Sequence, residues 1–153
     1  MSIEIGDSAP DFTLSDQHGQ TVSLRDFSGR KNVLLVFYPR AFSGLCGSEL
    51  GGLRDGIDDF VNEDVQLLCV AVDSMFAQRA WADQEKFEYP LLSDFWPHGE
   101  ATRAYGVFDE SRGVALRATF LIDKEGAVRW KVVNPISEAR DPEDYRTALA
   151  GLS

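Results

Sequence analysis

Cys46 lies in Phe37-Tyr38-Pro39-Arg40-Ala41-Phe42-Ser43-Gly44-Leu45-Cys46-Gly47-Ser48-Glu49, directly after the apolar run Val33 to Val36. A buried strand should end there and a helix begin. A helix start leaves N–H groups without intrahelical partners and carries partial positive charge, so negative charge on sulfur is favoured. Because the thiolate and not the thiol is the nucleophile, cysteines in such corners are the reactive ones. Ser43 stands one helical turn before Cys46, so its hydroxyl can reach the sulfur or an oxygen bound beside it. Pro39 closes the strand on the other side, where a missing N–H does no harm. The chemistry these residues support is nucleophilic attack by sulfur.

The remaining reactive groups point elsewhere. Cys69 sits inside Leu67-Leu68-Cys69-Val70-Ala71, where a cysteine behaves as a small inert hydrophobe. His18 and His98 are far apart and lack ligand-like companions, so neither a metal site nor a Cys-His protease pair is supported. Gly44 to Gly52 matches neither the P-loop nor the dinucleotide fingerprint.

The pattern Pro39-x-x-x-Ser43-x-x-Cys46 resembles the active-site signature of peroxiredoxins, with serine in the place where threonine is commoner. Further blocks follow in the family's order: Ala9-Pro10-Asp11-Phe12-Thr13-Leu14, Phe42 and Glu49 around the cysteine, Tyr89-Pro90-Leu91-Leu92-Ser93-Asp94, Tyr105-Gly106-Val107, and Arg117-x-Thr119-Phe120-Leu121-Ile122-Asp123. The stretch Phe95-Trp96-Pro97-His98-Gly99 and the lack of a second cysteine near Cys46 look most like the AhpE-type, one-cysteine branch.

The resemblance implies a thiol-dependent peroxidase acting on hydrogen peroxide, organic hydroperoxides or peroxynitrite, without a cofactor or metal. Cys46 would attack one peroxide oxygen and become a sulfenic acid. Ser43 and nearby backbone N–H groups would hold the peroxide oxygens. Arg117 takes the cationic role, since a guanidinium stays charged and offers several donors. Pro39 would act by shape, shielding the sulfur from bulk water. Glu49, three positions after Cys46, can orient an arginine through paired hydrogen bonds, although a solvated helix face is an equally ordinary place for it. An external thiol would then recycle the enzyme: a thioredoxin-, glutaredoxin- or mycoredoxin-like protein, or a low-molecular-weight thiol. Two alternatives stay open, a two-cysteine enzyme with Cys69 as resolving cysteine and a peroxide-sensing redox switch.

The elements that must position these groups alternate early. Thr13 and Leu14, a turn at Asp16 to Gln20, and Thr21 to Leu24 read as an N-terminal β-hairpin. Asn32 to Tyr38 reads as a central strand, and Val65 to Val72 as a second. A helix is expected from about Gly44 to Phe60, weakened by Gly51-Gly52, and another, capped by Asp73 or Ser74, should carry Phe76, Ala80 and Trp81. Pro90 to Leu92 forms a short strand and Gly99 to Tyr105 a short helix. Arg117 to Asp123 and Ala127 to Val133 form a hairpin, and Asp141-Pro142-Glu143-Asp144 opens the last helix. This pattern predicts an α/β fold, and the resemblance makes it thioredoxin-like: a mixed central β-sheet flanked by helices, with an N-terminal β-hairpin. Phe42, Trp81, Phe95 and Trp96 could rim the pocket or a subunit contact, but core packing is the plainer expectation for each. Arg40 is expected at the surface.

At 153 residues the chain is one domain over 1–153. Its 44% hydrophobic and 26% charged composition is globular, and no apolar run is long enough to span a bilayer. A net charge of −10 opposes a nucleic-acid partner. The first residues carry neither a basic region nor a long apolar segment, and two cysteines do not make a disulfide framework, so a cytoplasmic protein is expected. A homodimer is the expected assembly.

Overall fold

Residues 2–152 are described by a computed structural model. Its strands are β1 Thr13–Ser15, β2 Thr21–Ser23, β3 Asn32–Phe37, β4 Val65–Ala71, β5 Leu91–Ser93, β6 Phe108–Asp109, β7 Val114–Ala115, β8 Arg117–Ile122 and β9 Val128–Asn134. The α-helices are α1 Gly44–Asp55, α2 Met75–Glu85, α3 Glu100–Ala104 and α4 Pro142–Ala150. Seven strands form one mixed sheet in the order β2-β1-β5-β4-β3-β8-β9, while β6 and β7 pair separately.

The central position of β3 follows from its composition. Its apolar residues alternate between faces with the strand period of two. Leu34, Val36 and Tyr38 join Leu50, Leu53, Trp81 and Tyr145 in one buried cluster, and Val33, Leu35 and Phe37 join Tyr105, Val107 and Phe120 in the other. β3 runs parallel to β4 from Asn32↔Val65 to Phe37↔Val70, and antiparallel to β8. The loops leaving β3 and β4 therefore emerge at the same end of the sheet. The N-terminal hairpin is present, and it extends the sheet edge through the pair Ser15↔Ser93.

Two details depart from the sequence reading. The helix expected from Gly44 to Phe60 ends at Asp55, because Gly56 (φ −114°, ψ 31°) leaves helical geometry and a 3₁₀ turn, Ile57–Asp59, follows. Gly51 and Gly52 remain helical. The β6–β7 pair has strands of two residues, too short for any periodicity to announce; Gly113 at φ 69° closes its turn by donating to the Asp109 carbonyl at 2.8 Å.

Candidate active site

The chain leaves β3 at Tyr38, whose N–H still donates to Val70 O at 3.0 Å, and Pro39 ends the ladder. Pro39 is buried and Arg40 exposed. Ser43 is the N-cap of α1 (φ −87°, ψ 147°), and its Oγ accepts the Cys46 N–H at 3.3 Å. Among the described residues no acceptor takes the Ser43 hydroxyl proton, which is free to meet an oxygen placed beside the sulfur. Cys46 is a fully buried free thiol in the first turn of α1.

Arg117, the first residue of β8, donates from one terminal nitrogen to both Cys46 Sγ at 3.3 Å and Glu49 Oε1 at 2.5 Å. Its Nε donates to Ile136 O at 2.6 Å, which fixes the guanidinium plane. The five expected residues, Pro39, Ser43, Cys46, Glu49 and Arg117, thus belong to one corner of the fold. Glu49 is not on a solvated face: its side chain is 6% exposed.

Arg140 is the group that sequence reasoning missed. It donates from Nε and its backbone N–H to Glu49 Oε2 at 2.9 and 2.8 Å, and from its second terminal nitrogen to Oε1 at 2.9 Å. The other terminal nitrogen donates to Phe37 O, Ala118 O and Thr119 Oγ1. No local motif surrounds it; it lies just before the cap of α4 and reaches Glu49 only because β8, β9 and the following loop fold back. Glu49 therefore accepts four hydrogen bonds from two guanidinium groups and one backbone N–H. Burial pushes its carboxyl up, but the Arg140 hydrogen bonds and charge, with Arg117 beyond, outweigh this and hold it below the ordinary 4.5. Two buried cations and one buried anion leave one positive charge uncompensated, and that charge faces the Cys46 sulfur.

Cys69 lies in mid-β4, paired with Val36 and Leu91 in the adjacent strands and fully buried. Burial pushes its thiol far up, with Arg140 opposing only in part. Of the four aromatic residues considered for a rim, Trp81 is core, packed against Tyr38 and Phe87. Core packing does not hold for Phe42, Phe95 and Trp96, which are 53%, 53% and 82% exposed. Phe42 leans on Trp81 with ring centroids 6.2 Å apart. Among the described residues no helix is long and apolar enough to cross a membrane, and no three His, Cys, Asp or Glu side chains are grouped to hold a metal ion.

A family model described as AhpC/TSA family matches residues 5–131. Alkyl hydroperoxide reductase E of Mycobacterium tuberculosis is 47% identical over 151 residues, covering 99% of each chain. A chloroplastic 2-cysteine peroxiredoxin of Chattonella marina is 38% identical, covering 99% of this chain and 82% of the relative. Among solved structures, reduced 2-Cys peroxiredoxin of Plasmodium vivax superposes with a TM-score of 0.88 at 30% identity, covering 97% of this chain and 81% of that one. Peroxidoxin BcpB of Mycobacterium tuberculosis gives 0.87 at 27% identity, covering 99% of both chains.

Proposed function

The chain belongs to the AhpC/TSA family of peroxiredoxins and is a thiol-dependent peroxidase, and from that premise we propose that Cys46 is its peroxide-reacting thiol in a one-cysteine cycle. The observation that carries the assignment is the 3.3 Å contact from the Arg117 guanidinium to Cys46 Sγ, within a buried cluster whose net positive charge faces the sulfur.

In the first step the sulfur lone pair attacks the outer oxygen of ROOH, the O–O bond breaks, and RO⁻ leaves with its electron pair. Cys46 becomes a sulfenic acid, and RO⁻ takes a proton to become an alcohol, or water when R is hydrogen. Charge grows on the leaving oxygen, so fixed donors aimed there lower the barrier. Arg117 N–H, the Ser43 hydroxyl and first-turn N–H groups serve as those donors, and Pro39 shields the sulfur from bulk water. An external thiol then attacks the sulfenic sulfur, releasing water and leaving a mixed disulfide; a second thiol attacks that disulfide and frees Cys46. Supporting this cycle, the other cysteine is fixed in mid-sheet and held protonated by burial.

Hydrogen peroxide, organic hydroperoxides and peroxynitrite form the proposed substrate class. The reductant is a thioredoxin-, glutaredoxin- or mycoredoxin-like protein or a low-molecular-weight thiol, and the enzyme is a cytoplasmic homodimer. Stopped-flow mixing with near-stoichiometric hydrogen peroxide, followed by tryptophan fluorescence, tests the assignment. The expected result is a rapid phase abolished by Cys46→Ser and retained by Cys69→Ser; oxidation no faster than that of a free thiol would refute it.

A further inference from the structure

Phe42 holds φ at 64° in the turn between Pro39 and Ser43. A bulky side chain is strained in the left-handed region, so neighbouring contacts must impose the conformation. On its C-terminal side the turn is held by the Ser43 cap. On its N-terminal side, the Ala41 N–H donates to Asp73 Oδ2 at 2.7 Å.

Asp73 follows the end of β4, the parallel neighbour of β3, so topology brings it beside the turn. Its own backbone is fixed: Asp73 O accepts from Ser93 Oγ at 2.7 Å, after β4 and β5 have paired through Ala71↔Ser93. Gln78 on α2 donates to the same carbonyl at 3.5 Å and accepts the Tyr38 hydroxyl at 2.5 Å. Among the described residues, the Arg40 charge acts on the Asp73 carboxyl, which in turn acts on the Tyr38 hydroxyl. We propose that Asp73 is a positioning residue for peroxide reduction: by accepting the Ala41 N–H it holds the Phe42 turn, and through it the Ser43 hydroxyl, in register with Cys46. Burial raises its carboxyl above the ordinary 3.8, with the Ala41 N–H and Arg40 opposing only in part. A carboxylate kept where burial disfavours its charge fits a functional position better than a stabilising one.

The inference rests on Cys46 as the reacting thiol, and the experiment separates the two. Rates of oxidation by hydrogen peroxide and of alkylation by iodoacetamide are measured for the parent protein, Asp73→Ala, Asp73→Asn and Cys46→Ser. Asp73→Ala should oxidise at least about tenfold more slowly, because a small misplacement of oxygen-holding donors is costly, while its alkylation rate stays within about twofold of the parent's or rises. Asp73→Asn, which keeps an acceptor of the same reach, should recover most of the oxidation rate. Equal loss of both rates in Asp73→Ala, an unchanged oxidation rate, or an Asn variant no better than Ala would overturn the role of Asp73. Rapid oxidation of Cys46→Ser would instead overturn the assignment of Cys46.

Discussion

Glu49 accepts from both Arg117 and Arg140 and, among the described residues, is the only anion paired with either, so removing its charge strands two guanidinium charges. Breaking one partner out of a buried ion group costs on the order of 3–5 kcal/mol. Glu49→Gln is therefore expected to lower the unfolding midpoint in urea substantially and to slow peroxide reduction, since the amide carries no charge and its NH₂ end must face a guanidinium group where Glu49 offers a second acceptor oxygen. A carboxyl held below 4.5 in the folded protein contributes stability that is present above 4.5 and is lost as the pH falls through the depressed value. Acid titration of the fluorescence-detected folded fraction should show this limb in the parent and a weakened one in Glu49→Gln. Arg117→Lys keeps the charge but loses the Nε–H bond to Ile136 O that fixes the guanidinium plane and so aims the terminal nitrogen at sulfur and Glu49, and should reduce the oxidation rate by about 10²-fold or more.

At the scale of elements, α1 is defined by its two ends. Ser43→Ala removes the oxygen that accepts the Cys46 N–H and should cost about 1 kcal/mol of stability as well as slowing oxidation; Ser43→Thr should preserve both. Gly52 sits mid-helix, where an added Cβ would meet only Pro142 Cγ at 3.8 Å, an ordinary contact. Gly52→Ala should therefore stabilise the fold by up to about 1 kcal/mol, raising the melting temperature by roughly 2–4 °C. Much of this level was legible in the sequence. The apolar run of β3, the Asp141-Pro142 opening of α4 and the hairpin turns each carry a local signal. The break at Gly56 was not legible, because apolar spacing continues through Ile57 to Phe60 although the backbone has left the helix. Arg140 was illegible for a different reason: its importance is a long-range contact to Glu49, 91 positions away, and nothing beside it in the chain announces that.

For the molecule as a whole, parallel β3 and β4 deliver two loops to one end of the sheet, and β8 returns antiparallel to bring Arg117 there as well. The same topology traps Cys69 in the sheet interior, which is why the cycle is assigned to one cysteine. Cys69→Ala should leave the oxidation rate within about twofold of the parent's while losing around 1 kcal/mol of stability through the small cavity it creates. The most direct test oxidises the intact reduced protein with one equivalent of hydrogen peroxide, in the presence of a 1,3-diketone that traps sulfenic acids. Intact and peptide masses are then read without reductant. A single adduct on Cys46, with Cys69 a free thiol and no internal disulfide, is the predicted result; an adduct on Cys69 or a Cys46–Cys69 disulfide would contradict it.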